Sequence, residues 1–319
     1  MAKKSWIFRS IIFIVIMLVW IFSVILPQYS KGYNASMIDK YDRLKSVKEP
    51  KIILVGDSNV AFGFNSKLIE EQFNMPVVNM GLHGGLGLTL HTDIVKGNIN
   101  KGDIVVVLPA QYDFPNGISD AVLAWQTIEN HFSLWSKIRY QDYEKMIEAF
   151  PTYLKKAVEL SFPNCLSRLK FWNRETTPPP PKSVYSRAAF NEYGDVKFER
   201  SKNIMKNRHL AEAGFRRGQI SKELMQYLNE YHKYVESQGA TLFMGVPPIM
   251  QEIFEMTDEE LADFQEELEN SIQFELISDF NNYIYSETLF YNTNLHLNDR
   301  GVEIRTQQFI KDLTKAVKN

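Results

Sequence analysis

Ser58 stands in the run Gly56-Asp57-Ser58-Asn59, directly after the apolar stretch Lys51–Val55. A serine at a strand-to-helix turn exposes its hydroxyl, and the N-terminus of the following helix favours developing negative charge. The hydroxyl is nucleophilic near neutral pH only when a base takes its proton, and a loop histidine is the usual base. Such a histidine, His296, lies in the segment LFYNTNLHLN (289–298), just ahead of the last helical stretch. The segment Asn79-x-Gly81-x-x-Gly84 adds small residues that let backbone N–H groups approach a substrate oxygen.

Each of these signals has a plainer alternative. Ser58 is a good helix N-cap, His296 can pack within a loop, and Gly81, Gly84, Gly85 and Gly87 can simply build a tight turn. Other chemistries fit less well. No Gly-Lys-Ser/Thr follows the glycines, and their spacing is not the dinucleotide fingerprint. His83 and His91 are eight apart without an evident acidic partner, so no metal is expected. His131, His209 and His232 read as surface or helix histidines.

The elements that must position these residues follow from the apolar pattern. KIILV (51–55), VVN (77–79), DIVVVL (103–108), TLFMGV (241–246) and FELIS (274–278) read as strands. Asn65 or Ser66 caps a helix over SKLIEEQF, Thr257 and Glu260 form a capping box, and an amphipathic helix closes the chain from about 300 to 317. Strands alternating with helices predict an α/β fold, a three-layer α/β/α doubly wound and mostly parallel sheet. Ligands bind such sheets beyond the carboxyl ends of the strands, where all three chemical segments fall. Residues 114–215 read as a helical insertion or cap, with Trp125, Trp135 and Trp172 and the extended run Pro178–Pro181. Core packing is the plainer role of those tryptophans, sugar stacking the functional one.

The 319 residues carry 36 Lys+Arg against 38 Asp+Glu, a formal charge of −2 that excludes a globally basic, phosphate-coating surface. No nucleic-acid partner is expected. The single cysteine, Cys165, can form neither an intramolecular disulfide nor a zinc cluster. Ser10–Leu26 is an uncharged run of seventeen residues, preceded by Lys3, Lys4 and Arg9. With Trp6–Phe8 it reaches about 20 residues, enough for a hydrocarbon core of about 30 Å. Residues 1–27 therefore read as an uncleaved signal-anchor, with the N-terminus cytoplasmic and the rest outside; a cleaved signal peptide is the alternative. Residues 28–48 follow as a stalk or peripheral helix, and 49–319 as one large domain.

The three chemical blocks resemble the SGNH/GDSL hydrolase superfamily, most closely its membrane-anchored members associated with acylation of cell-envelope polysaccharide or teichoic acid. The resemblance covers roughly residues 50–113 and 236–318. It implies a flavodoxin-like topology, Ser58 as nucleophile and His296 as base. The oxyanion donors would be the N–H groups of Ser58 and Gly84, with Asp57 and Asn59 flanking the serine as site residues. Two positions depart from the family pattern. Where its third block places an asparagine, this chain has Pro109-Ala110-Gln111, so Gln111 stands in as the amide donor. The aspartate expected shortly before the histidine is absent, and Asn292, four residues before His296, is taken as the catalytic candidate in its place. A dyad held by a backbone carbonyl, an acid from elsewhere such as Asp279 or Glu287, and an inactive descendant all remain open.

The resemblance implies a single-pass membrane protein whose outer domain is a serine esterase or O-acyltransferase. Its substrates would be acetyl or D-alanyl esters of an envelope glycan or teichoic acid. A membrane-bound O-acyltransferase is the implied partner, and no cofactor is required. Two rivals stand beside it. One is a catalytically inactive accessory protein that binds glycan or a partner enzyme. The other is an unrelated flavodoxin-like binding domain, in which Ser58 and His296 would lie more than about 6 Å apart.

Overall fold

The computed structural model describes residues 2–25, 27–112, 117–170, 183–205 and 219–318; the side chains of 2–5, 20, 22–25 and 162–170 lie outside that description. Ten helices and seven strands are described. The chain begins with α1 (Ala2–Ile25) and α2 (Met37–Ser46), then β1 (Ile52–Gly56), α3 (Ser58–Ala61) and α4 (Ser66–Phe73). Next come β2 (Val77–Asn79), α5 (Gly87–Val95), β3 (Ile104–Leu108), α6 (Ala121–Ile128) and α7 (Tyr143–Lys170). The last third holds α8 (Lys222–Ser237), β4 (Thr241–Met244), β5 (Ile249–Met250), α9 (Asp258–Ser271), β6 (Glu275–Leu276), β7 (Ile284–Tyr285) and α10 (Asp299–Lys318).

The five-stranded sheet has the order β2-β1-β3-β4-β6, and every neighbouring pair is parallel. Counting sheet strands alone, that is the 2-1-3-4-5 winding of flavodoxin-like folds, with its switch point between β1 and β3. Side chains alternate across a strand. Ile53, Val55, Val105, Val107, Leu242 and Met244 join one core with Met37, Ile94 and Leu228 from α2, α5 and α8. Ile52, Leu54, Val106, Leu108 and Phe243 join a second core with Ile69 of α4 and Phe309 and Leu313 of α10. Helices thus cover both faces, which is why β1 and β3 are apolar at every position rather than at every second one.

Local signals held at the helix starts. The Asn65 side chain accepts the Leu68 N–H at the head of α4, and Thr257 with Glu260 makes the capping box of α9. The short parallel pair β5–β7 was not anticipated; two-residue strands leave no periodicity to read.

Three expectations require comment. Of the two readings of residues 28–48, the stalk and the peripheral helix, the structure has a helix packed on the domain: Met37 and Leu44 are buried in the core, and buried Lys40 donates to the carbonyls of Asn79 and Gly194 at 2.9 and 2.5 Å. Amphipathic α2 packs on one face of the sheet, with Lys40 on backbone carbonyls and Arg43 donating from Nε to Val77 O and from Nη2 to Glu70. The 114–215 segment, read as an insertion or cap, is bonded to the sheet. Asp195 accepts Ser66 Oγ and Asn79 Nδ2 at 2.6 and 2.8 Å, tying this segment to the sheet. Within it, Trp125 and Trp135 pack together at 5.0 Å between centroids, and Trp125 Nε1 donates to Met146 O. Trp172, Pro178–Pro181, His209 and the Cys165 side chain lie outside the described residues.

Among the described residues no helix is long and apolar enough to cross a membrane. The predicted span includes positions 20 and 22–26, which lie outside the described side chains. The described part of α1 leaves Trp6, Phe8, Phe13, Ile16 and Leu18 exposed.

Candidate active site

The turn that carries Ser58 begins where β1 ends. Gly56 is required there because a Cβ would meet Leu108 O and Val60 Cγ2, both at 2.6 Å. Asp57 then caps α3, its side chain accepting the Asn59 N–H at 2.8 Å. That cap places Ser58 at the first helical position, with its N–H at the positive end of the turn. On the opposite wall, the loop before α10 is held by Tyr291 N–H donating to His296 O and by Asn298, whose Oδ1 accepts Gly301 N–H.

These two supports bring Ser58 and His296 together. Ser58 Oγ lies 2.8 Å from His296 Nε2, and His296 Nδ1 lies 2.8 Å from Asn292 Oδ1. Asn292 Nδ2 donates to Tyr185 Oη at 2.8 Å, which turns the amide oxygen toward the imidazole. Nδ1 therefore carries the proton and Nε2 presents its lone pair to the serine hydroxyl, the tautomer a general base needs. The third member is the neutral amide of Asn292, named from the sequence among the catalytic candidates, and it stands where the other readings placed a backbone carbonyl or a distant acid. Asp279 instead caps its own turn through Asn281, and the Glu287 N–H donates to Glu252. The 2.8 Å separation is not the distance beyond about 6 Å that the binding-domain reading predicts.

Phe62, four residues beyond Ser58, stacks on the His296 ring at 3.9 Å with 7° between planes. The Arg200 guanidinium lies 5.2 Å from the Phe62 centroid. His296 is 6% exposed, and burial, then the Arg200 charge, then His83, bring its pKa down to about 3. The imidazole is neutral across the physiological range, and among the described residues no carboxylate hydrogen-bonds its ring nitrogens. Burial raises the pKa of Asp57, opposed by its hydrogen bonds from Asn59 and by the Arg305 charge.

Ser58, His296, Gly84, Gln111 and Asp57 line one cavity of about 570 Å³. Tyr33, His83, His91, Leu88, Leu224 and Tyr185 contribute to the same walls. Asn59 is the exception among the predicted site residues. It is fully buried, and its amide is consumed by Asp57, Leu108 O and Arg305, so it supports the turn instead of meeting a ligand. Among the described residues no group of three His, Cys, Asp or Glu side chains is placed to hold a metal.

Sequence reasoning missed Tyr185, Phe62, Tyr33 and Arg305. Phe62 had a signal, since an aromatic one turn beyond a nucleophile points back over it. Tyr185 had none: it reaches Asn292 from 107 residues away. Comparisons with family models, curated proteins and solved structures returned no match, so the resemblance to SGNH hydrolases rests on the residues of this chain alone.

Proposed function

We propose that this chain is a serine acyl-ester enzyme, an esterase or O-acyltransferase of the SGNH type. The observation that carries the proposal is the hydrogen-bonded series Ser58–His296–Asn292 at 2.8 Å per contact, opening on a cavity. Ser58 Oγ attacks the ester carbonyl carbon while His296 Nε2 takes its proton. The tetrahedral oxyanion is held by the N–H groups of Ser58 and Gly84 and by the Gln111 amide. Collapse breaks the ester C–O bond, and His296 returns the proton to the departing alkoxide. In the second half, water or a glycan hydroxyl attacks acyl-Ser58, His296 takes the attacker's proton, and Ser58 leaves with it.

The exposed apolar side chains of α1 and the basic residues Lys3, Lys4 and Arg9 in its first turns support a membrane anchor, with the domain on the outer side. The resemblance supports acetyl or D-alanyl esters of an envelope glycan or teichoic acid as substrate, and a membrane-bound O-acyltransferase as partner. The full chain in detergent should hydrolyse p-nitrophenyl acetate, and Ser58→Ala and His296→Ala should each abolish turnover. Wild-type turnover that matches either variant would remove the proposal.

A second reading has its own support. Asn292 and the depressed His296 pKa make a weak base, as expected of an accessory protein that binds glycan without turning it over. Saturable glycan binding with no turnover above Ser58→Ala would favour that reading.

A further inference from the structure

We propose that Arg305, on the C-terminal helix α10, is a positioning residue for the Ser58 nucleophile, acting through Asn59 and Asp57. The proposal rests on Ser58 being the nucleophile. Arg305 is completely buried, and no part of it lines the cavity. Its Nη1 donates to Asn59 O at 2.7 Å, and its Nη2 donates to Asn59 Oδ1 at 2.9 Å and Val246 O at 3.0 Å. The guanidinium lies 4.4 Å from the Phe64 ring centroid. The chain closes tightly over it, since a Cβ at Gly63 would fall 2.0 Å from Nη1.

This placement matters because α3 is only four residues long. A single turn has no cooperative stability of its own, so its position must be imposed from outside. Asn59 is the relay. Its N–H and Nδ2 both donate to Asp57 Oδ1 at 2.8 Å, and Nδ2 also reaches Leu108 O at 3.1 Å. Arg305 holds the two remaining acceptors of Asn59. The residues on either side of Ser58 are thereby fixed to β3, to the end of β4 and to α10. A shift in Asn59 would move both Ser58 Oγ and its N–H relative to His296.

Charge provides a second link. Asp57 lies on the cavity wall, with Oδ2 3.8 Å from the point where a Gly84 Cβ would begin. A bare carboxylate there would oppose an oxyanion forming at the Ser58 and Gly84 N–H groups. The Arg305 charge faces Asp57 and favours its ionised form while balancing it. Lysine cannot reproduce this role, because one ammonium does not span Asn59 O, Asn59 Oδ1 and Val246 O as a planar fork does.

The test compares the full-chain wild type with Arg305→Lys and Arg305→Ala, and with Arg300→Ala as an exposed control on the same helix. p-Nitrophenyl acetate kinetics and the rate of fluorophosphonate labelling at Ser58 are normalised to folded protein by melting curves. Both Arg305 variants should lose about 10- to 100-fold in kcat, the scale of a misplaced nucleophile, with KM little changed. Labelling should slow in parallel, and millimolar methylguanidine should restore part of the loss in Arg305→Ala only. If Arg305→Ala does not fold, Arg305→Lys carries the comparison. Arg305 variants with wild-type kcat and labelling per folded molecule would overturn the proposal. A wild type that takes no label would instead remove the assignment of Ser58.

Discussion

Replacing Asn292 by Asp should strengthen the base. His296 has its pKa brought down to about 3, so forming the imidazolium costs about 5 kcal/mol more than in water. A carboxylate at position 292 would keep the 2.8 Å contact to Nδ1 and put opposite charges about 4 Å apart. At an effective dielectric of about 20 that attraction is about 4 kcal/mol, which restores the His296 pKa to about 6. Tyr185 Oη, which accepts from Asn292 Nδ2, can rotate its proton to donate to the new carboxylate, so no buried oxygen is left without a partner. With rate following about half of the gain in basicity, kcat/KM at pH 7.5 should rise by about 10- to 100-fold. The pH profile supplies the second readout. Wild-type activity should be flat from pH 5 to 8, because the base is deprotonated throughout. Asn292→Asp should show an acid limb, activity being lost as pH falls through about 6. Stopped assays with p-nitrophenyl acetate, read at alkaline pH, give both. An unchanged limb with unchanged or lower turnover would refute the electrostatic reasoning.

Tyr185→Phe removes the group that orients Asn292 while leaving the packing nearly intact, and it should lower kcat by about 2- to 12-fold, the worth of one hydrogen bond, with little change in melting temperature. Gly56→Ala forces a Cβ into Leu108 O and Val60 and should cost about 1–3 kcal/mol by urea denaturation. Acid should destabilise the fold through two buried histidines. His91 is brought down to about 4 and His296 to about 3, in both cases chiefly by burial. Their contribution is complete above the ordinary histidine value and is lost as pH falls, because the unfolded chain takes protons that the folded chain refuses. Stability should therefore drop by up to about 2.7 kcal/mol per pH unit between 6 and 5, and His91→Leu should halve that slope. Equal slopes for wild type and His91→Leu would contradict it.

Much of this architecture was legible because its strands are buried on both faces. Continuous runs such as Lys51–Val55 and Asp103–Leu108 have no other stable place than an enclosed parallel sheet, and the turns after them carry the chemical residues. Ser58 and His296 could be named because each sits at a strand end or directly before a helix, where backbone geometry favours exposure, whereas Gly84 and Gln111 were named through the resemblance to SGNH hydrolases. Asn292 was legible as a catalytic candidate from its spacing to His296, but what orients it was not. Whether an amide or a distant acid serves the histidine depends on tertiary placement, and the orienting Tyr185 comes from a segment with no diagnostic pattern. At 28–48 the polar composition left a stalk and a peripheral helix undecided, because Lys40 and Arg43 bury their stems while their charged ends reach Asn79 O, Val77 O and Glu70. Arg305 was hidden for the same reason, one charge among several on an amphipathic helix.

The central claim is that Ser58 is a nucleophile activated by His296. The most direct measurement is peptide mapping by mass spectrometry after the full chain is exposed to a fluorophosphonate probe. The adduct should fall on Ser58, be absent from Ser58→Ala, and form far more slowly in His296→Ala. No adduct on Ser58, or labelling at the wild-type rate in His296→Ala, would contradict the account.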